Sequence, residues 1–148
     1  MDKISSISIV HSSTRDYKET LDRCKKTILE KDIVINHIVA NKSIKDLKKL
    51  DSSNDLVLVI GGDGTMIGAI RDLCHLNIPF LGVNIGNLGF LTDLQLGSLE
   101  IELPKILEGN YQEESRNLLE ISNSKKSFLI VNEVVMHSGE LAKMTSFS

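Results

Sequence analysis

The sequence predicts an α/β fold: a parallel, Rossmann-like sheet with helices on both faces, followed by the start of an all-β second domain. Over the first 110 positions, short apolar runs of strand length alternate with segments of helical spacing. Two of these runs lead directly into glycine-rich loops. Beyond residue 110 the helical spacing stops and strand-like runs follow one another.

The first predicted elements form a strand–helix–strand unit. Residues 4–10 alternate isoleucine with serine, which is typical of a strand. A helix is predicted over about 16–30, because apolar side chains recur there with helical spacing, at Tyr17, Leu21, Cys24 and Ile28. A second strand is predicted over 33–39 and a short helix over 43–50.

The third predicted strand carries the clearest signal. The run Asp55-Leu-Val-Leu-Val-Ile60 is continuously apolar after its first residue, which indicates a strand buried on both faces. The segment Gly61-Gly-Asp-Gly-Thr65 follows, and helical spacing predicts a helix from Thr65 to about residue 76. Pro79 ends that helical pattern, and a fourth strand is predicted over 80–83.

The two glycine-rich loops, 61–65 and 84–90, each follow a predicted strand. In a parallel sheet the carboxyl ends of the strands meet at one edge, where ligands bind. Backbone N–H groups of a glycine turn and the amino terminus of a helix favour an anion at such a place. The sequence therefore predicts a binding site that both loops line.

The region after residue 110 has a different pattern. A short helix over 98–108 precedes it. Strands are predicted over 115–121, 127–131 and 132–136, with a hairpin turn over 122–126. This indicates a second, all-β unit that begins near residue 111. Because its strands are too few to close a sandwich or barrel, we expect a fragment or truncated form of a two-domain protein.

Composition excludes several functional classes. The net charge of −3 gives no electrostatic footprint for nucleic-acid binding. The sequence contains no signal-peptide pattern and no apolar run long enough to span a membrane, so a cytoplasmic protein is expected. Cys24 and Cys74 are expected to be buried thiols on helix faces. The four histidines lack metal-ligand spacing, and no metal ligand is assigned to any residue.

Asp63 stands inside the predicted anion site, where a carboxylate would repel a phosphate. The sequence contains neither GxxxxGK[ST] nor GxGxxG, so the common phosphate-binding fingerprints are absent. Asp63 could cap a helix or form an Asx-turn. It could also act as a general base while backbone amides position phosphates. Spacing alone leaves both interpretations open.

Three motifs resemble those of the ATP-dependent NAD kinase family in its bacterial form. They are GGDGT at 61–65, FLGVNIGNLGFLTDL at 80–94 and VNEVVMHSG at 131–139, and their order and separation also fit. GGDGT alone is shared with diacylglycerol and sphingoid-base kinases and with phosphofructokinases. The Asn-Glu pair and the GNLGFLTD stretch are more specific to the NAD kinases.

The resemblance implies transfer of the γ-phosphate of ATP to the 2′-hydroxyl of the adenosine ribose of NAD, with Mg²⁺ or another divalent cation. Residues 1–110 would form the nucleotide-binding domain, and 111–148 the first strands of an incomplete β domain. Asp63 would be the catalytic base. The binding residues that the resemblance implies are Gly62, Asp63, Gly64, Thr65, Phe90, Leu91, Asn132, Glu133 and Lys143.

Each assignment has a simpler alternative. Phe90, next to Leu91 in the implied adenine pocket, could instead pack in the core. Asn132 and Glu133 could form a solvated strand edge, and Lys143 could be a surface lysine. Gly68 stands where many family members carry a basic residue, which weakens any claim of a phosphate contact from that helix.

Two other functions remain open at the level of sequence. A lipid or sugar kinase with a GGDGT loop would share the chemistry, whereas a catalytically incomplete nucleotide-binding module would bind without turnover. Family members continue into a β domain that completes the site, so we expect these 148 residues alone to be inactive. The resemblance also implies a homo-oligomer, with no nucleic-acid or membrane partner. The sequence leaves open the range of phosphoryl donors and the preference between NAD and NADH.

Overall fold

The computed structural model describes residues 3–14, 16–87 and 89–131. It divides into two units, Met1–Ser115 and Arg116–Ser148. The first unit contains a parallel five-stranded sheet in the order β2-β1-β3-β4-β5. Its strands are β1 Ser6–His11, β2 Val34–Ala40, β3 Leu56–Gly61, β4 Phe80–Asn84 and β5 Leu94–Gln95. Its helices are α1 Lys18–Leu29, α2 Ile44–Leu47, α3 Asp63–Leu73, which continues into the 3-10 turn Cys74–Leu76, and α4 Leu99–Leu107.

Strand β3 lies in the middle of the sheet and is buried along its whole length. Leu58 and Ile60 face the core that α1 and α4 cover, whereas Val57 and Val59 face the core that α2 and α3 cover. A strand buried on both faces has apolar side chains at every position, because both alternating sets meet a helix layer. The predicted sheet with helices on both faces is confirmed.

The start of α3 differs from the prediction. The helix begins at Asp63 rather than Thr65, and Gly62 is its N-cap. The reason is local, because the N–H groups of Thr65 and Met66 donate to the carbonyl oxygen of Gly62 at 3.0 and 3.1 Å. Asp63 is therefore the first helical residue, and the interpretation of its side chain as the helix cap is wrong.

Strand β5 was not predicted. It has only two residues, too few for any periodicity to show, and it pairs with Val83 and Asn84 of β4. Asp93 precedes it and holds it against β4, because its N–H donates to the carbonyl oxygen of Gly82 at 2.9 Å. Its carboxylate in turn accepts the N–H of Gly82 at 2.8 Å.

The two cysteines are free thiols in different surroundings. Cys24 is fully buried between α1 and α4, as predicted, and burial raises the pKa of its thiol to about 12. Cys74 lies in the 3-10 turn after α3 and is partly exposed, so the prediction of a buried thiol is wrong there. The buried face of α3 consists of Thr65, Met66, Ala69 and Leu73, and the next position, 74, lies to the side of that face.

The described part of the second unit is an antiparallel hairpin of β6 Leu119–Ser122 and β7 Ser127–Ile130. Its predicted turn is present, because the N–H of Asn123 donates to the carbonyl oxygen of Lys126 at 2.9 Å. The strand predicted over 132–136 lies outside the described residues. Throughout the described ranges, every helix is too short or too polar to cross a bilayer.

Candidate functional site

A polar cleft lies at the carboxyl edge of the sheet. Strands β1 and β3 are neighbours in the sheet, with β2 beyond β1 and β4 beyond β3. The order in which strands are added to the sheet therefore reverses between β1 and β3, which makes this the topological switch point. Ligands of such sheets bind at this point, outside the strand ends. The cleft measures about 540 Å³ and its lining comes from the segments after β1 to β4: Ser12, Thr14, Asn41, Lys42, Gly62, Asp63, Gly64, Thr65, Asn87 and Gly89.

Asp63 is the first residue of α3, and it lines this cleft. One carboxylate oxygen accepts the N–H of Phe90 at 2.9 Å, and the other accepts the N–H of Leu91 at 3.0 Å. Its negative charge therefore has two backbone partners as well as the positive end of the α3 dipole. The second glycine loop thus supplies the hydrogen-bond donors that stabilise a carboxylate at a place where an anion is expected to bind.

Gly89 makes that contact possible. A Cβ at position 89 would lie 2.1 Å from one carboxylate oxygen of Asp63 and 2.7 Å from its Cγ. Real Cβ atoms essentially never approach so closely. The backbone of Gly89 does not have positive φ, so the requirement for glycine is one of space.

The second glycine loop is held independently of Asp63. Buried Asn84 ties its beginning, since its side-chain oxygen accepts the N–H of Gly86 at 2.8 Å and its side-chain nitrogen donates to the carbonyl oxygen of Asn87 at 2.7 Å. The reciprocal pair between Gly82 and Asp93 ties its end. The loop is thus fixed to β4 on both sides of the segment that reaches Asp63.

The first glycine of GGDGT has a packing role. A Cβ at Gly61 would lie 2.4 Å from the hydroxyl oxygen of Thr65, whose side chain is buried beside it. Helix α3 can start this close to the end of β3 only because residue 61 is glycine. Gly62 and Gly64 line the cleft, and a Cβ at either position would meet open space. Because these positions carry no side chain, a ligand can approach the protein backbone there.

Two other implied residues, Phe90 and Leu91, differ in their exposure. The side chain of Phe90 is 91% exposed, which excludes the alternative that it packs in the core. Leu91 is half-buried and packs against the α2–α3 core. The predicted positions Asn132, Glu133 and Lys143 lie outside the described residues.

Several cleft residues were not predicted. They are Ser12, Thr14, Asn41 and Lys42, whereas Asn87 and Gly89 belong to the loop 84–90 that the sequence predicts to line the site. These four lie in the segments that follow β1 and β2, so their position after predicted strands was the available signal. Lys42 adds a positive charge, and the hydroxyl and amide groups add hydrogen-bond donors for phosphate oxygens.

The cleft suits a cation that arrives with phosphates better than a resident metal. Among the described residues no group of three His, Cys, Asp or Glu side chains could hold a metal ion. Asp63 is the carboxylate of the cleft lining, and hydroxyl and amide oxygens stand beside it. Mg²⁺ is commonly bound through one or two carboxylates together with substrate phosphates. The donor set fits that mode of binding.

Comparisons with known proteins agree with this geometry. Residues 6–111 match the model of the ATP-NAD kinase N-terminal domain. The chain is similar to the NAD kinase of Tolumonas auensis, with 44% identity over 108 residues that cover 70% of this chain and 37% of the relative. Similarity to the NAD kinase of Ectopseudomonas mendocina covers 99% of this chain and 55% of that relative, at 34% identity.

The chain therefore spans about half, or less, of the length of the curated relatives that it matches. Among solved structures it resembles yeast NADH kinase complexed with NADH, with a TM-score of 0.63 and 14% identity over 88% of this chain and 46% of that one. At this identity the likeness is one of fold.

Proposed function

The chain belongs to the NAD kinase family, and from that premise we propose that it serves the transfer of the γ-phosphate of ATP to the 2′-hydroxyl of the adenosine ribose of NAD. The products are NADP and ADP. The observation that carries this proposal is the Asp63 carboxylate, held by two backbone N–H groups at the edge of a polar cleft where a helix begins.

The cleft offers what phosphoryl transfer needs from a protein. The amino terminus of α3 and the ammonium group of Lys42 attract the phosphates, and the hydroxyl groups of Ser12 and Thr14 can donate to their oxygens. Such a reaction needs positioning and charge stabilisation more than covalent participation. The proposed donor site is therefore the cleft between the loops after β1, β2 and β3.

Asp63 is the proposed base. Each carboxylate oxygen can accept two hydrogen bonds, so one position on each remains after the N–H groups of Phe90 and Leu91 are counted. The ribose oxygen forms a bond to the γ-phosphorus, and the bond from that phosphorus to the β–γ bridging oxygen breaks. The hydroxyl proton passes to Asp63, late in the transfer.

A divalent cation would be held mainly by the donor phosphates, with the carboxylate of Asp63 and nearby hydroxyl oxygens as its available protein ligands. When bound, Mg²⁺ neutralises charge on the phosphates. Exposed Phe90 offers a ring on which the adenine of NAD can stack, next to Leu91. The implied roles of Asn132, Glu133 and Lys143, the homo-oligomer and the cytoplasmic location stay predictions.

The test is NADP formation, measured with an NADP-specific dehydrogenase. It uses the 148-residue chain and a hybrid in which residues 6–111 replace the matching segment of the Tolumonas auensis NAD kinase. We expect the hybrid to form NADP from NAD and MgATP, and Asp63→Asn to lower turnover by about 10²–10⁴-fold while NAD still binds. Asp72→Asn is the matched control, since Asp72 lies on the same helix and pairs with Arg71.

A folded hybrid that forms no NADP would contradict the proposal, and an Asn variant that keeps most of its turnover would remove the base assignment. The second candidate function is a nucleotide-binding module without turnover. Calorimetry and the NADP assay on the hybrid together distinguish it, because a module binds NAD or MgATP while forming no NADP.

A further inference from the structure

The contact between Asp63 and the second glycine loop joins segments that lie far apart in the sequence. The two N–H donors belong to consecutive residues, Phe90 and Leu91, and each bonds a different carboxylate oxygen. Two donors on two oxygens fix the rotation of the carboxylate as well as its place. A single hydrogen bond would leave that rotation free.

The second glycine loop fixes the position of the Asp63 carboxylate, whereas the carboxylate is not needed to fix the loop. Asn84 and the pair between Gly82 and Asp93 fix the loop to β4 without any contribution from Asp63. The Asp63 side chain, in contrast, has rotatable bonds and borders the cleft. If the two are forced apart, the carboxylate rotates more readily than the loop moves.

A side chain at position 89 would force the loop and the Asp63 carboxylate apart. A Cβ there would meet both carboxylate oxygens and Cγ of Asp63, at 2.1, 3.0 and 2.7 Å. It would meet no backbone atom among these nearest neighbours, and the backbone conformation at 89 accepts a side chain. The absence of a side chain at 89 therefore serves the position of the Asp63 carboxylate.

We infer that Gly89 is a positioning residue for the proposed reaction: it lets the loop hold the Asp63 carboxylate by the Phe90 and Leu91 N–H groups in the orientation that receives the ribose proton. This inference rests on the proposed function. Misplacement of a reacting group by about 1 Å can lower a rate roughly 100-fold. Gly89→Ala should therefore lower kcat and leave KM for both substrates nearly unchanged.

The first experiment needs no activity. Amide hydrogen exchange of the 148-residue chain is measured by NMR for Gly89→Ala, with Gly97→Ala as the matched control because a Cβ at Gly97 meets open space. We expect the Phe90 and Leu91 amides to be protected in the unaltered chain and in Gly97→Ala, and to lose protection in Gly89→Ala. Amides of β4 should stay protected in all three.

Asp63→Ala removes both acceptor oxygens, so both amides should lose protection; this second variant serves if Gly89→Ala does not fold. Protection of both amides in the folded Gly89→Ala chain, or in Asp63→Ala where Gly89→Ala does not fold, would overturn the inference. Because exchange is measured without substrates, that failure is distinct from failure of the proposed function, which the NADP assay reports.

The second experiment uses kinetics of the hybrid. Gly89→Ala should lower kcat by roughly 100-fold, and Gly97→Ala should not. In an Asp63→Asn background, Gly89→Ala should cause no further loss, because the group that it misplaces is already gone. An equal loss in both backgrounds would show that residue 89 acts on the fold alone, and would overturn the positioning role.

Discussion

The two ends of β3 carry the same kind of contact with different surroundings. Asp55 directly precedes the strand, and Asp63 follows it by two positions. Each carboxylate accepts N–H groups from two consecutive residues of a neighbouring segment. For Asp55 these are Ser5 and Ser6, at 2.8 and 2.9 Å.

The difference lies in what else reaches the carboxylate. The hydroxyl groups of Ser5 and Ser6 also donate to Asp55, at 2.7 and 3.1 Å, and all four bonds go to one oxygen. These donors, the Ser5 hydroxyl above all, lower the pKa of Asp55. Among the described residues Asp63 accepts only the two N–H groups, and Gly62, Gly64 and Gly89 lie with it in the cleft lining. The two carboxylates therefore differ in that serine side chains bind Asp55, whereas glycines leave Asp63 open to the cleft.

The largest expected effect separates the two ends by catalysis. In the NADP-forming hybrid, Asp63→Asn should lower kcat by about 10²–10⁴-fold, the usual contribution of a general base. Asp55→Asn should leave kcat within about twofold, because residue 55 lies at the opposite edge of the sheet from the cleft. Steady-state kinetics of both variants check this. Equal losses would mean that the two ends do not differ in function.

Lys42 sharpens the same comparison, because it places a positive charge at the Asp63 end of the sheet. We expect Lys42→Ala to raise KM for MgATP by roughly 10- to 100-fold, since a hydrogen bond from a charged group contributes about 1.5–3 kcal/mol. The matched control is Lys45→Ala, which removes a lysine of α2 outside the cleft lining. No change in KM for MgATP would remove Lys42 from the donor site.

Asp55 should contribute to the stability of the fold, although we expect it to contribute little to catalysis. Asp55→Ala removes the tie between β1 and β3 and should lower the free energy of unfolding by about 1–2 kcal/mol, a figure kept small because Asp55 is exposed. Since its folded-state pKa is lowered, its stabilisation is complete above the ordinary value of 3.8 and is lost as pH falls below it. Urea unfolding of the 148-residue chain at neutral and acidic pH measures both. A midpoint unchanged at neutral pH would contradict the structural role.

The contacts of the two carboxylates also show what sequence can predict. The alternation of apolar runs and helical spacing predicted the parallel sheet and placed both glycine loops at one edge. It could not predict that Asp63 bonds Phe90 and Leu91, because a contact between residues so far apart depends on how two loops meet in space. Strand β5 was not predicted because two residues are too few to show a period. The role of Gly89 was not predicted because the need for space at position 89 arises from the Asp63 side chain, which only the fold brings beside it.

A third carboxylate, Glu100, provides the smallest expected effect and a different kind of partner. Arg23 donates to both of its oxygens, at 2.6 and 2.8 Å, and joins α1 to α4. That guanidinium lowers the pKa of Glu100 to about 2 from the ordinary 4.5. The stabilisation is therefore present above pH 4.5 and is lost as pH falls toward 2. Glu100→Gln should remove this pH dependence from the urea midpoint.

Salt distinguishes this ion pair from the backbone-held Asp55. At about 1 M salt the screening length is about 3 Å, so an exposed pair such as Arg23–Glu100 should lose most of its small contribution. The bonds to Asp55 come from neutral N–H and hydroxyl groups, and their contribution should persist. The destabilisation by Glu100→Gln should thus shrink with added salt while that by Asp55→Ala does not. If both shrink equally, the hold on Asp55 is mainly long-range charge, and the likeness between the two ends of β3 is lost.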